Sequence, residues 1–221
     1  MRRGLKHLRE ELFSHLPFSI FSAVGGMILV AVLAFVGEPF YGGREAGLSG
    51  AFRELFHIFH PVHMLFSATA TTAMFWRYER RPVKACIVGF LGAVVVCGIS
   101  DILMPYVSGL LLGAKMEIHI CVIEHPQLVL PFTLVGIATG FLAADHIVRA
   151  TFFSHAAHVL VSSTASLLYL VSFGLTDWVH QAGLVFIFVV LAVMIPCCIS
   201  DIIFPLLAVT ADGRPISEHR H

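Results

Sequence analysis

Six apolar runs of bilayer-spanning length, set apart by short polar stretches, constrain this chain more than any other feature. In hydrocarbon each backbone N–H and C=O must be satisfied within its own segment, so such runs fold as helices. They extend from about Pro17 to Val36, Leu55 to Arg77, Lys84 to Tyr106, Pro126 to Ala144, Thr151 to Phe173 and Ala182 to Val209. Charged residues are only 13% of the chain and mean hydropathy is +0.87, whereas a soluble domain carries about 25% charged residues. The expected fold class is an all-α polytopic membrane protein, partnered by the lipid bilayer, with no sizeable soluble domain and no nucleic-acid partner. The first run lacks a small-residue cleavage site and is read as a retained span, not a signal peptide.

Basic residues orient the spans. Arg2, Arg3, Lys6 and Arg9 precede the first, Arg77, Arg80, Arg81 and Lys84 link the second and third, Arg149 links the fourth and fifth, and Arg214 and Arg220 follow the sixth. These positions fall on one side if there are six spans, with both termini cytoplasmic in a bacterial inner (plasma) membrane. The segment 107–124 is apolar but interrupted by Lys115, Glu117 and His119, and is expected to form a surface or re-entrant helix on the outer side. If it crossed, the chain would have seven spans and a parallel repeat.

A repeat is written into the polar residues. Cys97-Gly98-Ile99-Ser100-Asp101-Ile102-Leu103-Met104-Pro105 is echoed by Cys197-Cys198-Ile199-Ser200-Asp201-Ile202-Ile203-Phe204-Pro205, and the pair His60/His63 by His155/His158. Aligning His63 with His158 also matches Ser67-Ala68-Thr69-Ala70-Thr71 to Ser162-Ser163-Thr164-Ala165-Ser166. Earlier in each half, Leu16-Pro17-Phe18-Ser19 resembles Leu130-Pro131-Phe132-Thr133, and Gly26 falls opposite Gly140. The single transmembrane domain thus divides into repeat one (about 12–106), the linker 107–124, repeat two (about 125–209) and a polar tail (210–221). With six spans the second and fifth run in opposite directions, giving a 3+3 inverted repeat, a layout of secondary transporters.

Intramembrane carboxylates and imidazoles are costly and mark sites or ion pathways. His60, His63, Asp101, His155, His158 and Asp201 are the candidate metal ligands, with His57, Cys97, Cys197, Glu117 and His119 as additional candidates. Histidines three apart share a helix face, and Cys97 lies one turn before Asp101. Ser67, Thr71, Ser162 and Ser166 continue those faces as a polar pathway. Pro105 and Pro205 break the helix four residues after each aspartate, freeing the aspartate's own C=O; Pro61 does the same for His57. Glu124-His125 precedes the fourth span as Glu10-Glu11 precedes the first, a pattern that fits a mouth but more often marks only a solvated span end. Imidazole with carboxylate suits Zn, Fe, Mn, Co or Ni, bound as substrate or as a resident ion. The five cysteines form no CxxC pattern, and HExxH, GxSxG and phosphate-loop motifs are absent.

These patterns point to a secondary transporter for a divalent transition-metal cation, coupled to protons through histidine, with a homodimer permitted by the small size. By the span assignment His60, His63 and Asp101 lie in the outer half and His155, His158 and Asp201 in the inner half, as two related sites or two ends of one route. A membrane redox protein with bis-histidine haem and an intramembrane metal-dependent hydrolase are the alternatives.

Overall fold

The computed structural model describes the backbone of residues 2–41, 45–144, 147–198 and 204–209. Within that part, the side chains of 2–15, 38, 41, 45–46, 147–155, 197–198 and 206 are not described. The described residues are helical or irregular, without strands. The helices are α1 (Arg2–Tyr41), α2 (Glu45–Tyr78), α3 (Pro82–Leu91), α4 (Met104–Leu111), α5 (Cys121–Glu124), α6 (Pro126–Ala143), α7 (Ile147–Ser172), α8 (Ala182–Cys198) and α9 (Phe204–Ala208). Two π-helical stretches, Gly92–Cys97 and Ile99–Leu103, join α3 to α4.

Among the described residues, three segments are long and apolar enough to cross a bilayer: Leu16–Gly37, Pro82–Leu111 and Pro126–Ala143. Their outward side chains are apolar, as at Phe21, Phe35, Leu134 and Leu142. Water would not tolerate so large an apolar surface, but lipid does. The architecture is that of a helical membrane protein. Ala156–Ser172 and Ala182–Pro196 are shorter apolar helices, and α2 and α7 carry most of the buried polar groups among the described residues.

Helix α2 lies at the centre, and its neighbours approach through small residues. A Cβ on Gly136 of α6 would come 2.5 Å from the Leu65 carbonyl oxygen, and one on Gly140 would come 2.8 Å from that of Thr69. Thr69 Oγ1 donates to the Gly136 carbonyl at 3.1 Å and to its own Leu65 carbonyl at 2.8 Å. On the other side Gly26 of α1 faces Thr164 of α7, where a Cβ would lie 3.3 Å from Oγ1, and Thr164 bonds back to Leu160 at 2.8 Å. Gly89 and Gly92 of the α3 segment rest against Thr72 and Thr71. Without a hydrophobic effect between helices in lipid, this close backbone approach is what gives association its dispersion energy.

Contacts along the helices fix their relative directions. His57 and Thr69 of α2 meet His125 and Gly140 at the two ends of α6, so α2 and α6 are parallel. Phe56 meets Tyr169 while His63 meets His158, so α2 and α7 are antiparallel. Thr72 packs on Gly89 and His63 on Asp101, so the Pro82–Leu111 segment opposes α2 and accompanies α7.

The linker corrects one expectation. Residues 107–124 are not a single surface helix: α4 ends at Leu111, residues 114–120 are non-helical, and only Cys121–Glu124 make a turn of helix. This strap lies across the C-terminal end of α7. Glu117 N–H donates to the Phe173 carbonyl at 2.8 Å, His119 N–H donates to Tyr169 Oη at 3.0 Å, and that hydroxyl reaches the Glu117 carbonyl at 3.3 Å. Gly174, at φ +152°, admits the strap where a Cβ would come 2.6 Å from the Lys115 carbonyl oxygen. The strap is thereby tied to α7 by its own backbone, and the chain turns back into α6.

Gly136→Leu should therefore destabilise the detergent-purified protein by about 1–3 kcal/mol or more, because the α2–α6 approach cannot widen locally. Gly50→Ala, with nothing within 4 Å of its Cβ, should leave the unfolding midpoint unchanged or raise it slightly. Equal effects from the two variants in a chemical-denaturation titration would contradict this packing.

Candidate metal centre

The Asp101 carboxylate sits in a helix that has lost its α register. Pro105 has no N–H to offer four residues back, and the chain adopts i→i−5 bonding here, with Met104 N–H donating to the Ile99 carbonyl. A π-turn of this kind commonly marks a functional site. The shift leaves the Ser100 carbonyl without its ordinary Met104 partner, and Ser166 Oγ of α7 donates to it at 3.1 Å. Proline 105 thus makes an interhelical acceptor at Ser100, one residue before the carbonyl that the sequence pattern indicates.

Asp101 is fully buried, as are His60, His63, Ser100 and Ser162. Both carboxylate oxygens are occupied. Oδ2 lies 2.9 Å from His60 Nδ1 and 2.7 Å from His63 Nδ1; Oδ1 accepts from Ser100 Oγ at 2.8 Å and Ser162 Oγ at 3.1 Å. With Nδ1 of each imidazole directed at the carboxylate, Nε2 is the nitrogen that points onward. His63 Nε2 lies 2.8 Å from His158 Nε2, and Cys97 Sγ approaches the same His63 nitrogen at 3.8 Å. Two imidazole lone pairs cannot face one another at that distance, so the His63–His158 pair must share a proton or hold a cation. The helix face shared by Cys97 and Asp101 is the one turned to His63.

This arrangement differs from the expected separation of the two histidine pairs by depth. His63 and His158 touch, because α2 and α7 cross antiparallel at that level, and one buried network contains residues of both halves. Ser67, Thr71, Ser162 and Ser166 are all buried along it, with Thr71 packed on Gly92. Asp201 and the side chains of His155 and Cys197 lie outside the described residues. Pro105 and Pro205 both sit in the first turn of a helix, α4 and α9 respectively.

A second group of histidines lies at the strap end of the bundle. Ligand atoms of His57, His119 and His125 come within 4.8 Å of one another, and His57 Nε2 is 3.0 Å from His119 Nε2. These three residues could hold a metal ion. His119 Nδ1 lies 2.9 Å from Glu124 Oε2, and Glu124 also accepts from Ile120 N–H at 3.2 Å. Burial holds the His119 imidazole below the ordinary histidine range against the opposing pull of Glu124, favouring the neutral, ligating form. The Ile120 N–H and His119 outweigh desolvation and hold the Glu124 carboxyl below its ordinary range. Burial pushes the Cys121 thiol up to about 12, so it remains protonated beside this group. Glu117 turns away to Arg53 at 3.4 Å. Phe56 lies between the two groups, stacked on His60 at 5.1 Å and edge-on to His119 at 6.2 Å.

His125 was legible only as part of the Glu124-His125 pair before Pro126, and its partnership with His57 depends on the parallel packing of α2 and α6. Tyr169, which anchors the strap at His119, gave no sequence signal beyond an aromatic in an apolar run. No protein-family model, curated protein or solved structure matches the chain.

Ser162→Ala and Ser166→Ala should each lower stability by about 1–3 kcal/mol, since each removes a donor from a buried acceptor. Ser163 Oγ is buried with no hydrogen-bond partner among the described residues, so Ser163→Ala should be neutral or stabilising. Unfolding midpoints of the three variants check this, and equal losses at 162 and 163 would contradict it.

Proposed function

We propose that the chain is a secondary transporter for a divalent transition-metal ion, built as a six-span 3+3 inverted repeat, in which the ion is bound at the His63–His158 crossing in exchange for protons. The observation that carries this reading is the meeting of His63 with His158 at 2.8 Å. The sequence repeat pairs these two residues with each other, and they face across antiparallel helices. Equivalent residues of an inverted repeat meet only on its pseudo-twofold axis, which lies in the membrane plane. The helix contacts support the same axis. Gly26 packs on Thr164 and Gly140 on the Thr69–Thr72 turn, and the repeat pairs Gly26 with Gly140 and Thr69 with Thr164, although the atoms in contact differ. The back-bonds Thr69 to Leu65 and Thr164 to Leu160 correspond in the same way. The strap returns the chain to the end it left, in keeping with six spans rather than seven.

Imidazole nitrogens and the nearby Cys97 sulfur favour Zn, Co, Ni or Fe over Mn and other hard, oxygen-seeking cations. Asp101 serves best as the orienting carboxylate behind the imidazoles, because its oxygens already accept from four side chains. Metal entry would displace the bridging proton between His63 and His158, since ligation requires deprotonated nitrogens. Bis-histidine haem fits less well: iron held by both Nε2 atoms needs them about 4 Å apart with a flat slot between the rings. A hydrolase needs a substrate and water beside its ion, whereas His60, His63, Asp101, His158 and Ser162 of this network are all buried.

Reconstituted into vesicles with an entrapped metal-sensitive dye, the protein should carry Zn2+ or Co2+ with counterflow of protons. Asp101→Asn and His158→Ala should lower the rate by about 10–100-fold while leaving elution profile and helical content unchanged, and Asp201→Asn should do likewise if the halves are equivalent. Wild-type rates in all three variants would remove the reading, and a Soret band in the purified protein would replace it with the haem alternative.

A further inference from the structure

We infer that His57, His119 and His125 form a second, separate metal site, a capture site for a borderline divalent ion such as Zn2+ or Co2+ at the strap end of the bundle. Its role in capture rests on the transport reading; the site itself does not. Its geometry is that of an open three-imidazole centre. Zinc held at about 2.0–2.1 Å by tetrahedral nitrogens separates them by about 3.3 Å. The 3.0 Å between His57 and His119 Nε2 is already close to this. His125 closes the remaining gap by turning its half-buried ring. Two of the three imidazoles are thus in place before the ion arrives.

Three further features distinguish the group from histidines that merely pack. First, Glu124 takes His119 Nδ1 at 2.9 Å, which fixes the ring and directs Nε2 to the ion, the arrangement found behind metal-ligating histidines. Second, the His119 backbone is tied to Tyr169 Oη and its ring is stacked on Phe173 at 4.8 Å, so the ligand is held on both sides. Third, the nearby cation has an anionic partner: Arg53 pairs with Glu117 at 3.4 Å and lies over the Phe173 ring at 4.6 Å. Three imidazoles leave a fourth position open, so an ion would exchange there, as in catalytic and not structural zinc sites.

The site has no counterpart in the other half. The repeat places Phe152 opposite His57, and His119 and His125 lie in or at the end of the linker between halves. An otherwise symmetric transporter would carry this site at one mouth only. By the distribution of basic residues that mouth is the outer one. From it His57, His60 and His63 follow at three-residue steps along α2, and Phe56 stands between capture and buried groups.

The test is Co2+ binding to the purified full-length protein in detergent, followed by visible d–d absorption and by equilibrium dialysis. Wild type should show a tetrahedral Co2+ spectrum, and His125→Ala should lose one bound ion per chain. Glu124→Gln should weaken that ion about 10–100-fold. Asp101→Asn should retain it, which separates this site from the buried network. Unchanged stoichiometry in both His57→Ala and His125→Ala, or no binding by wild type at millimolar Co2+, would overturn the proposal. If the ion is lost in His125→Ala but vesicles of wild type transport nothing, the site stands and the transport reading falls.

Discussion

A carboxylate inside a helical bundle is tolerable only if every lone pair has a donor, and much of this interior is organised to supply them to Asp101. Moving an ionised carboxylate out of water costs several kcal/mol even after relaxation. Four side chains offset that cost, from α2 (His60, His63), α7 (Ser162) and its own helix (Ser100). Those donors set the register among three segments, because a one-residue shift of α2 would leave Oδ2 bare and one of α7 would remove a donor from Oδ1. The loss of α register before Pro105 belongs to the same solution, since it leaves the Ser100 carbonyl for Ser166. Glycines and threonines then allow the helices to come close enough for these short side chains to reach.

The network has two consequences for chemistry. Committing Nδ1 of two histidines to one carboxylate presents Nε2 of His63 to the partner helix, where it meets His158 in a contact that a proton or a metal ion must bridge. The second consequence is directional. The buried group joins counterpart residues of the two halves, whereas the His57–His119–His125 group belongs to one end only. On the proposed inverted repeat, the strap, which has no repeat partner, would make the two ends of the bundle distinct.

Much of this could be read from the residues. The helical class followed from the apolar runs, and the choice of His60, His63, Asp101 and His158 as candidates followed from charge and imidazole placed twice in hydrocarbon-soluble sequence. Cys97 on the Asp101 face followed from helical spacing. Three things could not be read. Whether His63 and His158 share a depth depends on where two antiparallel helices cross, and span boundaries are too coarse to place a crossing within a turn. The segment 107–124 is apolar by composition, yet its backbone bonds to Tyr169 and Phe173 in place of its own turns, which is a tertiary decision. The convergence of His125 on His57 likewise depends on α6 lying parallel to α2.

The central claim is that the ion travels through the pair formed by His63 and His158, and locating the ion tests it most directly. Crystals of the Co2+-loaded protein, measured at the cobalt absorption edge, should show an anomalous peak between His63 and His158, with their Nε2 atoms drawn apart to bonding distance from the metal. Transport-competent protein whose anomalous density never falls at that pair, with the two rings still 2.8 Å apart, would contradict the account.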